Sequence, residues 1–129
     1  MLVPPPTQQE IATQVPPLVA YVPAQVGTGW KYLAWVSPHG EVQIVFAKGG
    51  QQVIFIASRY RGDCSIGMRK RFAIAGVTVY YTRTAAERRA WRCVNGVRLM
   101  AATSVPSDRF ADVSLARTAA SAYRVQRIP

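Results

Sequence analysis

Residues 76 to 104 read GVTVYYTRTAAERRAWRCVNGVRLMAATS, and this stretch decides the fold. Three runs rich in β-branched and aromatic residues are divided by a polar segment and then by Asn95-Gly96, and Asn-Gly between apolar runs is the strongest short hairpin signal. The pattern predicts an antiparallel meander. Side chains alternate across a strand, so Val77, Val79 and Tyr81 are expected to share a face in the first strand. Trp91 and Cys93 do so in the second, and Val97, Leu99, Ala101 and Thr103 in the third. All are assigned to one apolar face, with Thr78, Thr82, Arg92 and Arg98 turned away. Cys93 then lies on the apolar side, where it can tie the meander to whatever carries Cys64.

Working outward, Trp30 to Val36, Glu41 to Ala47 and Gln51 to Ser58 are strand-like and are separated by Ser37-Pro38-His39-Gly40 and Lys48-Gly49-Gly50, both turn sequences. They predict a second meander. Val42, Ile44 and Phe46 share one face; Val53, Phe55 and Ala57 oppose Ile54 and Ile56, so the third strand is apolar on both sides and is placed inside the sheet. Arg59 to Met68 reads as a polar loop carrying Cys64, and Arg69 to Ala75 as a short strand turning at Gly76. Pro106 blocks strand continuation, Ser107 or Asp108 can cap, and Asp108 to about Ala122 has helix-forming composition, with Phe110, Val113, Ala116 or Arg117, and Ala120 near one face. Tyr123 to Ile128 is either a ragged end or a last edge strand. Six of the nine prolines precede Gly29, so residues 1–29 are expected to be a Pro-rich extended tether with at most a short helical turn over Thr7 to Thr13. Leu18 to Val26 is apolar enough to lie along the domain. The expected fold is one α+β domain over residues 30–129, an antiparallel sheet of about six or seven strands with the C-terminal helix on one face.

At 129 residues the chain has the size of one domain, and half of it is apolar. Sixteen Lys and Arg oppose six Asp and Glu, a formal charge of +10, and thirteen of the sixteen are arginine. Such a balance favours contact with polyanions, although arginines spread over many strands and loops also read as solvated surface. No run is as long as a transmembrane helix, and the first thirty residues lack a basic region followed by an apolar one. Two cysteines without CxxC spacing, and a single histidine, do not make a zinc site, so neither a metal nor a cofactor is expected. A Cys64 to Cys93 disulfide would close a loop of about 30 residues and contribute about 3 to 4 kcal/mol in the chain-entropy model. It would place the protein in an oxidising, extracytoplasmic compartment, with Met1 then a boundary from which a signal or anchor has been removed upstream. Two buried free thiols are the cytosolic alternative.

Few residues suggest catalysis. His39 is the one group suited to proton transfer near neutral pH, but it sits in a turn where solvated histidines are common. The six carboxylates are scattered, and Asp108 and Asp112 suit the first turn of a helix. Neither a G-x-x-x-x-G-K nor a G-x-G-x-x-G phosphate loop occurs. Arg61-Gly62-Asp63 spells an adhesion tripeptide, but its residues are ordinary for a loop and it is discounted. No catalytic residue is therefore assigned. Arg69, Lys70 and Arg71, together with Arg88, Arg89 and Arg92, form two basic clusters near Tyr80, Tyr81 and Trp91, the raw material of a single-stranded nucleic-acid or polyanion platform. If Tyr81 and Trp91 instead face the core, those arginines have no stacking surface.

A-G-V-T-V-Y-Y from Ala75, A-W-R-C-V-N-G-V-R-L from Ala90, then a Pro-Ser break and an alanine-rich helix resemble the uncharacterised extracytoplasmic domain beyond the membrane segment of some bacterial anti-sigma factors and lipoproteins. V-P-A-Q-V-G-T-G-W from Val22 is similar to that family's entry into its first strand. The likeness spans roughly Val22 to Tyr123, and the cysteine pair and arginine load depart from it. It implies a location outside the cytoplasm, a sensing or binding role and a curved sheet with a helix, like a lipoprotein carrier. The resulting expectation is a non-enzymatic extracytoplasmic module that binds a protein or small ligand. The alternative is polyanion or single-stranded nucleic-acid binding through an Arg-rich sheet face.

Overall fold

A computed structural model describes residues 5–14, 21–37, 40–103 and 112–124. The two meanders form as expected. Strands β2 (Lys31–Val36), β3 (Val42–Lys48) and β4 (Gln51–Arg59) make the first, and β5 (Lys70–Ile74), β6 (Val77–Arg83), β7 (Arg88–Val94) and β8 (Val97–Thr103) the second. Antiparallel pairing of β4 with β8 fuses them into one seven-stranded sheet of order β2-β3-β4-β8-β7-β6-β5. The fold is α+β. β4 pairs with a strand on either side and so lies inside the sheet, as expected from its pattern. Tyr21–Val22 (β1) pairs with Tyr123–Arg124 (β9) in a separate two-stranded ribbon, so a short strand follows the C-terminal helix.

One face of the sheet holds the core. Val42, Ile44 and Phe46, then Val53, Phe55 and Ala57, then Leu99 and Ala101, then Ala90, Val79 and Tyr81 are all buried there. Helix α2 (Asp112–Ala120) covers the half formed by β5 to β8 and buries Leu115, Ala116 and Ala119. The proposed caps Ser107 and Asp108, and Phe110, lie outside the described residues.

Within the stretch expected to be extended, with at most a short turn over Thr7 to Thr13, the described residues 5–14 are helical. Pro5–Gln14 is a ten-residue helix, α1, whose Ile11 and Ala12 are fully buried in the same core as Val22 and Val26. Proline is tolerated in a first helical turn because those N–H groups have no intrahelical acceptor. Burial of Ile11 supplies the stability that local propensity does not.

The faces of β7 also differ from expectation. Asn95 and Gly96 both have positive φ, 50° and 76°, the backbone of a two-residue primed turn. That turn pairs Val94 with Val97, hence Cys93 with Arg98 and Arg92 with Leu99. Arg88, Ala90 and Arg92 therefore share the helix-covered face with Leu99 and Ala101, while Trp91 and Cys93 point to the opposite, outer face. Thr78, Thr82 and Arg98 point outward as predicted, but Arg92 does not.

Candidate functional site

The β4-to-β5 connection explains what covers the outer face. It must pass β8, β7 and β6, four strand spacings or about 19 Å. Residues 60–69 make this crossing and are stapled to β7 by the Cys64–Cys93 disulfide. The Trp91 indole N–H donates to the Cys64 carbonyl at 2.6 Å, and Trp91 is only 6% exposed although it lies on the outer face. Within this connection Asp63 accepts from the Ser65 N–H and hydroxyl, which hold its carboxyl below the usual range. The Arg61-Gly62-Asp63 carboxylate is thus engaged in its own turn. Arg98 lies over the Tyr60 ring at 5.4 Å.

Beyond this connection, at the β2 to β4 end, the outer face is mostly apolar. Registers place Val36, Gln43, Ile56, Met100, Trp91, Tyr80 and Arg71 in one row across the sheet. The adjacent row runs Ala34, Val45, Ile54, Ala102, Arg89 and Thr82. Val36 is 48% exposed, and Val45, Ile54 and Ile56 are partly exposed. Among the described residues no helix lies over this end of the outer face, because α2 contacts the sheet through its other side. Leu33, the extra residue of a bulge in β2, is 58% exposed at the neighbouring edge.

The six basic residues singled out in the sequence do not make one surface. Arg88 is 6% exposed and donates to Asp112 at 3.1 Å, at the start of α2. Arg92 donates to the carbonyls of Ala122 at 2.6 Å and Ala119 at 3.3 Å, at the other end of α2. The four steps from Arg88 to Arg92 cover about 13 Å of strand, and nine helical residues span about 13 Å. The two arginines thus hold opposite ends of α2, the cation at its C-terminus meeting carbonyls that lack intrahelical donors. Burial pulls the Arg92 guanidinium below its usual value.

Asp112 gathers more than its place in a first turn requires. It accepts from the Tyr81 hydroxyl at 2.5 Å and from Lys70 at 3.4 Å as well as from Arg88. Burial alone would raise its carboxyl, but the hydrogen bonds from Tyr81 and Arg88 and the nearby Lys70 outweigh it and hold it low. Tyr81 is pushed up to about 12, first by burial and then by its bond to Asp112. Lys70 lies 5.1 and 5.0 Å from the Phe72 and Tyr81 ring centroids. Arg89 is exposed on the outer face and paired with Glu87, and Arg71 is exposed on the same face at the far edge.

Arg69 belongs to a different place. Together with Arg83, Arg88, Gly67 and the Thr84-to-Glu87 turn it lines an open cleft of about 720 Å³ at the end of β6 and β7. Arg83 was not apparent from sequence, since it is a lone arginine 14 positions from Arg69. His39 lies outside the described residues. Among the described residues no three His, Cys, Asp or Glu side chains gather as a metal site, and no helix is long and apolar enough to cross a membrane. No protein-family model and no curated protein matches the chain. The likeness to the anti-sigma and lipoprotein domain therefore rests on its own motifs.

Proposed function

We propose that the protein is a non-enzymatic extracytoplasmic binding module that receives its partner on the outer face of β2, β3, β4 and β8. The observation that carries this reading is the cluster of Val36, 48% exposed, with partly exposed Val45, Ile54 and Ile56, flanked by Gln43 and backed by buried Met100 and Ala102, with no described helix over it. Apolar side chains clustered at a surface in this way mark interaction sites. Arg98 beside Ser58 fringes this cluster with positive charge, whereas Arg89 beside Ala102 is paired with Glu87. That fringe, on a chain of formal charge +10, selects a protein partner that brings carboxylates around an apolar centre. The Cys64–Cys93 bond supports the compartment, because disulfides persist where the surroundings are oxidising.

The test is site-specific photocrosslinking in the host cell, with the photoreactive residue at Val36 and, as control, at exposed Arg117 on α2. A discrete adduct from position 36, absent from position 117, is the expected result, its partner carrying acidic residues around the crosslinked segment. No discrete adduct at position 36, or the same adducts from both positions, would refute the docking face. Trapping of the cell's thiols by alkylation gives an independent reading of compartment: Cys64 and Cys93 recovered as free thiols would refute the extracytoplasmic assignment.

A further inference from the structure

At the far end of the sheet, on a surface separate from the apolar cluster, we propose that the cleft between β6, β7 and the crossing connection binds a short linear oligophosphate through Arg69 and Arg83. Among the described residues three arginines line this space, and their charges are not equally balanced. Arg88 is matched by Asp112, and Glu87, the one carboxylate among the described lining residues, is matched by Arg89. Arg69 and Arg83 are exposed, and among the described residues neither forms an ion pair. The Arg69 guanidinium nevertheless donates to the Arg83 backbone carbonyl at 3.2 Å, which draws that cation onto the residue carrying the second one.

Two unmatched cations in one concave space repel each other, and a bound anion removes that repulsion. Guanidinium suits phosphoryl oxygens because its planar fork offers parallel donors to two of them. The open cleft of about 720 Å³ has room for a ligand larger than a single ion, being within the roughly 300 to 1,000 Å³ range of small-molecule sites. Stacking of a nucleobase has no support there, since among the described residues no aromatic side chain lines the cleft. A short chain of phosphoryl groups, two of them engaged by the two guanidiniums, matches the charge and fits the space. The polyanion reading is thereby narrowed to two residues, one of which sequence reasoning did not select.

The experiment is isothermal titration of the full chain with tripolyphosphate at about 150 mM salt, where the screening length is about 8 Å and general attraction to a basic protein is damped. Arg69→Gln/Arg83→Gln is compared with Arg59→Gln/Arg61→Gln, a pair of equally exposed arginines beside the Asn95-Gly96 turn that removes the same charge. Circular dichroism checks that each variant is folded, and Arg83→Lys supplies a milder change that keeps the charge but removes the fork. The expected result is a loss of at least tenfold in affinity for the cleft pair, less than twofold for the control pair, and a several-fold loss for Arg83→Lys. Equal losses in the two pairs would mean attraction to net charge alone and would overturn the site. Undetectable tripolyphosphate binding to the unaltered chain would also overturn it, as would tighter binding of single-stranded oligothymidylate at the same arginines.

Discussion

Replacing Arg92 by Met removes the donors that hold the C-terminal end of α2 while keeping an unbranched stem to fill the same space. The Ala119 and Ala122 residues that supply the carbonyls are 0% and 3% exposed, so water does not readily replace the guanidinium. A hydrogen bond to a charged group contributes about 1.5 to 3 kcal/mol, and a buried acceptor left bare costs about 1 to 3 kcal/mol, though the Ala119 carbonyl keeps a long bond from the Ala122 N–H at 3.4 Å. One of the two bonds is long at 3.3 Å, and the variant also relieves the cost of burying the cation. The net expectation is a loss of about 2 to 3 kcal/mol. For a chain of this length that is a fall of about 6 to 15 °C in melting temperature. Arg89→Met, three residues earlier on the opposite face, removes only an exposed pair with Glu87 and is expected to cost less than about 1 kcal/mol. Urea titrations followed by tryptophan fluorescence measure both. If Arg92→Met stays within about 0.5 kcal/mol of the unaltered protein, or Arg89→Met proves the more costly, the face assignment of β7 and the clamping of α2 are both refuted.

Two further outcomes follow from the same geometry. Reduction of Cys64–Cys93, or the Cys64→Ser/Cys93→Ser variant, is expected to cost about 3 to 4 kcal/mol by loop-closure entropy and to red-shift fluorescence as Trp91 is uncovered, whereas unchanged stability and emission would mean that the crossing connection stays in place without the bond. Stability should also fall at both extremes of pH. Asp112 is lower in the folded state, so its contribution is present above the unfolded carboxylate value near ~3.9 and is lost as pH falls through the folded value. Tyr81 is raised to about 12, so its contribution is intact below about pH 10 and is lost as pH rises from 10 to 12. Urea midpoints across pH should show Asp112→Asn flattening the acid limb and Tyr81→Phe the alkaline limb; unchanged limbs in either variant would refute the network.

Local patterning in the chain determined the two meanders, their turns and the presence of one C-terminal helix, because strand alternation, Asn95-Gly96 and the Gly49-Gly50 turn act within a few residues of one another. The true face of Arg92 was legible as well: a two-residue turn at Asn95-Gly96 obliges Arg92 to stand beside Leu99, and only the pull of Trp91 and Cys93 as apolar residues argued otherwise. Tertiary structure alone decided the rest. Pairing of β4 with β8 forces residues 60–69 across the outer face, and this route decides that Trp91 and Cys93, turned outward by the hairpin register, are covered there and that Cys93 is bonded to Cys64. It also decided that a proline-rich start becomes a helix, since Ile11 is stabilised by contacts from distant parts of the chain. The split of the arginines into helix anchors, fringe and cleft has the same origin: Arg69 and Arg83 meet through strand register, and register between strands is a property of the assembled sheet that no single run of residues carries.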